Sequence, residues 1–80
     1  MWNYRIIKTT HGEEDFYSIH EVYYNRAGEI CAISEDPMEP HGSNLSEIGR
    51  DLDFMAEAFT RPVLMKDEIV FAKADWEEEE

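Results

Sequence analysis

The sequence has few basic residues, and this shortage narrows the range of its partners. Its 80 residues contain 7 Lys and Arg against 19 Asp and Glu, for a formal net charge of −12. Removing the four terminal glutamates leaves 15 acidic residues against 7 basic ones, so the acidity is not confined to the end of the chain. Nucleic acids and anionic membranes are bound through Lys and Arg side chains that neutralise phosphates. We therefore expect the protein to bind neither of them directly.

Cysteines and long apolar runs are also scarce, which excludes two further classes of protein. Cys31 has no second cysteine to pair with, so an intramolecular disulfide is excluded and a reducing compartment is the simpler expectation. No apolar run approaches the roughly 18 residues of a membrane span, and the first seven residues are too short and too polar for a signal peptide. We expect a cytoplasmic protein.

Motifs that support catalysis or metal binding are missing as well. The three histidines, His11, His20 and His41, have none of the spacings of a zinc site, and a single cysteine does not complete one. The sequence contains no P-loop, nucleophile elbow or glycine-rich dinucleotide turn. We therefore expect no enzyme, no metal and no cofactor.

His20 and Glu21 form the one adjacent pair that could combine a base with an acid. Successive residues of a strand point to opposite faces of the sheet, so these two side chains cannot act together. We expect His20 to hydrogen-bond across the sheet or under a helix, and Glu21 to pair with Arg5 or Lys8 on the neighbouring strand. An enzyme that uses His20 would instead place it in a pocket with a perturbed pKa.

The most informative stretch that the sequence does contain is Phe16–Tyr24. It holds three tyrosines, a phenylalanine and two β-branched residues, without glycine or proline, which is typical of a strand. Neither of its faces is cleanly apolar, so we expect both to be partly covered. Alternating segments precede it across the loop His11–Asp15 and follow it after a turn in which Gly28 takes a positive φ. The pattern predicts an antiparallel meander of three strands at Trp2–Thr10, Phe16–Tyr24 and Glu29–Ser34.

A capped amphipathic helix is predicted after this meander. Asn44 is a suitable N-cap, and Glu47 follows at the spacing of a capping box. An apolar stripe at three- and four-residue spacing is expected to cover one face of the sheet, with Gly49 in close approach to it. The stripe consists of Leu45, Ile48, Leu52, Met55, Ala56 and Phe59.

The predicted fold is a single α+β domain over residues 1–74, in the order β-β-β-α with a possible short fourth strand. Residues 63–74 contain two short apolar runs, either of which is an edge strand or a segment laid along the core. We expect residues 75–80 to form an acidic, disordered tail in which Trp76 is a possible anchor.

A second kind of signal is a set of short strings and single residues between residues 2 and 64. They are Trp2-Asn3-Tyr4-Arg5-Ile6, His20-Glu21-Val22-Tyr23-Tyr24, Gly28, Asp36-Pro37, Gly42 and Arg61-Pro62-Val63-Leu64. This set resembles a group of small, uncharacterised bacterial and phage proteins, and it implies no known function.

A second resemblance is one of topology. A hairpin, a third strand, a glycine turn at Gly42 and a capped acidic helix are similar to the N-terminal, partial RNase H-like half of HicB-type antitoxins. That family neutralises a small RNase toxin by binding it. It carries a DNA-binding domain after this half, which has no counterpart in these residues.

Acidity combined with aromatic strands favours a protein that binds other proteins. A stacking platform for single-stranded nucleic acid needs a positive groove that this sequence lacks, whereas aromatic side chains on a sheet face also anchor protein partners. We expect one face of the central strand to lie under the helix and the other to be the recognition surface. The candidate partner-binding residues are Tyr17, Tyr23, Glu47, Asp51, Asp53, Glu57 and Trp76.

The leading hypothesis is a non-enzymatic, acidic module that binds a basic protein. One form of this hypothesis is an inhibitor, either like an antitoxin or as a mimic of nucleic acid that occupies a basic groove. The alternative is a structural homodimer, without an inhibitory role, that is held together by its sheet edge or by exposed aromatic residues.

Overall fold

A long hairpin forms the centre of the computed structural model, which describes residues 1–75. Strand β1, Trp2–His11, pairs antiparallel with β2, Glu14–Tyr24, from Trp2 opposite Tyr23 to His11 opposite Glu14. The connecting turn has two residues, Gly12 and Glu13, where we expected a loop of five. Gly12 has a φ of 63° whereas Glu13 does not have a positive φ, as in a type II′ turn. This turn type matches the twist of paired strands, which explains why the strands extend further than predicted.

The third strand follows a tight turn and contains a bulge. Gly28 takes the predicted positive φ, at 82°, and the Asn25 side chain accepts hydrogen bonds from the turn. Strand β3, Ile30–Ile33, pairs antiparallel with β2. Its register shifts near Tyr23, which leaves Cys31 as the extra residue of a bulge.

The fourth strand is short and makes the sheet mixed. Strand β4, Leu64–Met65, pairs parallel with β1, beside Ile7 and Lys8. The sheet order is β3-β2-β1-β4. The predicted α+β class and three-stranded meander are confirmed, and the short fourth strand is present.

The predicted helix is present, and its cap is confirmed. Helix α1 is Leu45–Ala56, followed by a 3₁₀-helix at Glu57–Thr60. The Asn44 side chain accepts a hydrogen bond from the Glu47 backbone N–H at 2.9 Å. The Glu47 carboxylate in turn accepts from the Ser43 backbone N–H at 2.8 Å, one residue before the cap. The first bond satisfies a donor that the start of a helix leaves free, and the second fastens the preceding loop to the helix.

One face of the sheet is tightly covered, and we call it the closed face; it carries Arg5 and Ile7 of β1 with His20 and Val22 of β2. Ile7 and Val22 are both 0% exposed. After β4, the second 3₁₀-helix, Lys66–Glu68, leads into residues 69–75, which cross from the β4 edge to the β3 edge. There the Ala72 N–H donates to the Ile30 carbonyl at 2.8 Å, and Ala74 is buried. This segment therefore lies along the core, which is one of the two alternatives predicted for the apolar runs of residues 63–74.

The opposite face, which we call the open face, carries Tyr4 and Ile6 of β1 with Tyr17, Ile19, Glu21 and Tyr23 of β2. Helix α1 and the following 3₁₀-helix lie across this face through Met55, which is 2% exposed, and Ala58, which is fully buried. Both faces of the sheet are thus covered, though to very different degrees.

The helix does not bury the stripe that we predicted. Of the six predicted stripe residues only Met55 is buried, whereas Leu45, Leu52 and Phe59 are mostly exposed. After Ala56 the chain winds with three residues per turn instead of 3.6, so Ala58 and not Phe59 continues the buried line. Gly49 has open space around it, so the predicted close approach to the sheet is wrong.

Within residues 1–75, no helix has both the length and the hydropathy that crossing a bilayer requires.

Candidate protein-binding surface

The two candidate tyrosines lie on the open face, on the same side of the sheet as the helix. We expected the helix and the tyrosine face to be on opposite sides, and this expectation is wrong. Tyr17 is 61% exposed, because the helix does not reach its end of the strand. Tyr23 is half-buried, and its hydroxyl donates a hydrogen bond to the Glu21 carboxylate. Tyr17 is therefore the more accessible of the two.

Two of the candidate acidic residues already serve the fold. The Glu47 carboxylate accepts a hydrogen bond from the Ser43 backbone N–H, and the Asp51 carboxylate accepts one from the His41 backbone N–H at 3.0 Å. Asp51 thereby ties the loop before the helix to the second turn of α1. Asp53 and Glu57 are exposed, and Glu57 forms an ion pair with Arg61 at 3.8 Å. Trp76, like the rest of the predicted tail, lies outside the described residues.

Asp75, the first residue of the predicted tail, contacts the folded domain. Its carboxylate accepts a hydrogen bond from the Arg26 backbone N–H and lies 3.9 Å from the Arg26 Nε. This contact fastens the end of the crossing segment to the turn before β3.

A groove runs between the helix and β2 on the open face, and we call it the helix–sheet groove. Its volume is about 550 Å³, within the range of about 300–1,000 Å³ typical of ligand sites. Phe59 and Tyr17 stand exposed on its two sides. Its apolar lining comprises Ile6, Tyr17, Ile19, Pro37, Met38, Phe59 and Val63. Exposed apolar surface of this kind is typical of binding sites.

A second groove, of about 440 Å³, lies on the other side of the helix beside Trp2. The Trp2 and Tyr4 rings meet at right angles with their centroids 5.1 Å apart. Burial raises the pKa of the Tyr4 hydroxyl, and the carboxylates of Asp51 and Glu21 raise it further. Arg61 also lines this groove, so its charge is mixed.

Acidic side chains flank the helix–sheet groove on the loop after β3. Glu35 and Asp36 precede Pro37, and Glu39 follows Met38; all three acidic side chains are exposed. Sequence reasoning missed this loop as part of a site because two prolines and a glycine indicated only a connection. The signal that was available is the alternation of acidic residues with Pro37 and Met38.

Glu21 does not pair with a basic residue, contrary to our expectation. Its partner across β1 is Tyr4, while Arg5 lies opposite His20 and so points to the closed face. The Arg5 guanidinium donates to the Pro62 carbonyl at 2.8 Å, and Lys8 pairs with Asp15 at 3.6 Å. The hydrogen bond with Glu21 is the main cause that raises the pKa of the Tyr23 hydroxyl, with burial second.

His20 is hydrogen-bonded in the core, as we expected. It is 7% exposed, and its Nδ1 lies 3.0 Å from the Ser34 carbonyl, which only accepts hydrogen bonds. In the neutral ring Nδ1 therefore carries the proton, and Nε2 accepts from the Ser18 hydroxyl at 2.9 Å. This arrangement links β2 to the end of β3.

No group of three or more His, Cys, Asp or Glu side chains suited to a metal ion occurs within residues 1–75. No protein-family model, curated protein or solved structure matches the chain. The candidate function therefore depends on the geometry of the open face. Its apolar groove and acidic flank are suited to binding.

Proposed function

We propose that the protein is a non-enzymatic, acidic module of the cytoplasm that binds a basic protein partner. The observation that carries this proposal is the combination of exposed apolar side chains and unbalanced acidic charge on the open face. Phe59, Leu52 and Tyr17 are each more than half exposed on this side of the molecule. A small monomeric domain rarely exposes such residues together unless they contact a partner.

Charge supports a basic partner over a neutral one. The described residues keep an excess of acidic side chains, and several of the basic ones are already engaged: Lys8 with Asp15, Arg26 with Asp75 and Arg61 with Glu57. A negative surface accelerates association with a positive one and disfavours acidic competitors. Inhibition of a nucleic-acid-binding protein, by occupying its basic groove, is the narrower form of the proposal. The resemblance to HicB-type antitoxins suggests the same role, because those proteins neutralise an RNase toxin by binding it.

The experiment is a pull-down with the tagged protein from its own cells, followed by reconstitution with the purified partner at increasing salt concentration. Affinity for a basic partner is expected to fall steeply, because about 0.15 M salt screens charges beyond roughly 8 Å. A variant with Asp53→Asn, Glu57→Gln and the four terminal glutamates replaced by glutamine is expected to bind more weakly. Retention that neither salt nor this variant alters would overturn the proposal.

Sedimentation tests the alternative, a structural homodimer. Exposed Leu45, Leu52 and Phe59 are the observation that favours it, since a second copy would cover them. The net charge of −12 opposes it, because two copies repel each other. A tight dimer at physiological salt would support this alternative, and a monomer would support the acidic module.

A further inference from the structure

The helix–sheet groove is an exposed apolar region with side chains on two sides and on its floor. Phe59 on the helix side is 71% exposed, and Tyr17 on the strand side lies opposite it. Ile6 and Ile19, both from the sheet, form the floor. A large apolar side chain placed there would contact the floor and both walls, which is how anchor residues contribute most of the affinity of an interface.

The loop that flanks the groove is held in place by backbone hydrogen bonds. The Ser34 N–H donates to the Glu21 carbonyl at 2.9 Å, and the Met38 N–H donates to the Ile19 carbonyl at 2.8 Å. The Ser34 hydroxyl also donates to the Asp36 carbonyl at 3.0 Å. The loop therefore continues along β2 beyond the end of β3. A loop fixed in this way loses little conformational entropy when a partner binds.

The charge of this loop is uncompensated. Within residues 1–75, the carboxylates of Glu35, Asp36 and Glu39 take part in no ion pair. Lys8, which lies next to Tyr17 on the open face, is held by Asp15 at 3.6 Å. Three exposed carboxylates beside an apolar groove complement a segment that combines apolar and basic residues.

On the basis of the proposed function, we propose that the helix–sheet groove receives a large apolar side chain from a basic segment of the partner. Lysine or arginine residues next to that side chain pair with Glu35, Asp36 and Glu39. A second copy of this chain is the poorer occupant, because docking on this groove would bring further acidic surface towards the three carboxylates. The groove thus binds the apolar side chain, and the loop binds the basic residues next to that side chain in the partner.

The test uses two labelled synthetic peptides whose binding is measured by fluorescence anisotropy. One has a leucine and a tryptophan between lysines, and the other has serines in place of these two apolar residues. The first peptide is expected to bind at least about tenfold more tightly, a difference that persists when salt is raised, because apolar contact is not screened. Equal binding of the two peptides would overturn the groove assignment.

Protein variants locate the contact. Phe59→Ala is expected to weaken binding of the first peptide by about tenfold, whereas Leu45→Ala, at an exposed position outside the groove, is expected to leave it unchanged. Glu35→Gln with Glu39→Gln is compared with Glu13→Gln with Glu68→Gln, which removes the same charge elsewhere. Only the first pair is expected to lower affinity beyond the general effect of net charge. Equal effects within either comparison would overturn the proposal.

Binding to the unaltered protein provides a measurement that does not depend on the folding of variants. Backbone amide NMR shifts of the ¹⁵N-labelled chain are expected to change at Tyr17, Met38 and Phe59 when the first peptide is added. Shift changes confined to the Trp2 side of the helix would overturn the groove assignment while the proposed function stands. Failure of any basic peptide or purified basic partner to bind would overturn both.

Discussion

The two faces of the sheet differ in how completely the chain covers them. On the closed face Ile7 and Val22 are fully buried, and His20 has hydrogen-bond partners for both ring nitrogens. On the open face the helix buries Met55 and Ala58 but leaves Phe59 and Tyr17 exposed. Both faces therefore contribute to the core, with Ile6 buried on the open face, but only the open face leaves large apolar side chains available for binding.

Mutation of Ile7 tests this difference most strongly. Ile7→Ala removes a fully buried side chain and leaves a cavity, so the free energy of unfolding is expected to fall by about 2–5 kcal/mol. Phe59→Ala, on the open face, is expected to change it by less than about 0.5 kcal/mol, as for ordinary surface substitutions. Urea unfolding followed by circular dichroism measures both.

In so small a domain, the loss of stability in Ile7→Ala is large enough to prevent folding. Ile7→Val is the milder test and is expected to cost about 0.5–1.5 kcal/mol. If Phe59→Ala destabilised the domain as much as Ile7→Ala, Phe59 would be part of the core and the contrast between the faces would fail.

The glycines of the helix region give the next largest expected effect. A Cβ atom at Gly42 would lie 2.6 Å from the Ile48 backbone nitrogen, whereas a Cβ at Gly49 meets no atom within 4 Å. Gly42→Ala is therefore expected to destabilise the domain by about 1–3 kcal/mol through overpacking. Gly49→Ala is expected to stabilise it by up to about 1 kcal/mol, since alanine favours a helix interior.

Thermal unfolding of the two alanine variants measures these changes with one added methyl group in each. These two variants also test the comparison of the faces. Because the helix buries few side chains against the open face, its position depends on contacts with the loop that contains Gly42. Destabilisation by both variants would indicate that the helix packs more closely on the sheet than it does here.

Local signals explain which parts of the fold were predictable. The strands alternate, Gly28 follows a polar turn, and Asn44 stands three residues before Glu47; each of these patterns acts within a few residues. The rotation of the helix on the sheet is set instead by distant contacts. Ala58 continues the buried line from Met55 because the final turn is a 3₁₀-helix, and no local sequence pattern predicts that change.

The same limit applies to the candidate site. Tyr17, which the sequence suggested as a partner-binding residue, is exposed, and this binding role stays a prediction. The capping-box spacing indicated that Glu47 reaches back towards the start of the helix, but no local pattern indicated that Asp51 binds the His41 backbone N–H. The groove itself depends on Pro37 and Phe59, which are 22 residues apart and meet only through the fold.

Tyr23 gives the smallest expected effect and tests the polar part of the open face. Its hydroxyl donates to Glu21, and this bond is the main cause that raises its pKa above the ordinary value of 10.0. A group whose pKa is higher in the folded state stabilises the fold at any pH below its pKa in the unfolded state. This contribution is lost as the pH rises through its pKa in the folded state.

The free energy of unfolding is therefore expected to fall above about pH 10, as the hydroxyl ionises beside the carboxylate. Tyr23→Phe is expected to cost at most about 1 kcal/mol at neutral pH, because the bond is partly exposed to solvent. The variant is also expected to lose part of the alkaline decrease, while Tyr4, whose pKa is raised mainly by burial, retains the rest. Chemical unfolding at neutral and alkaline pH, with tyrosinate absorbance as the titration signal, measures both effects. An identical alkaline decrease in Tyr23→Phe and the unaltered protein would show that the Glu21 bond does not couple to folding.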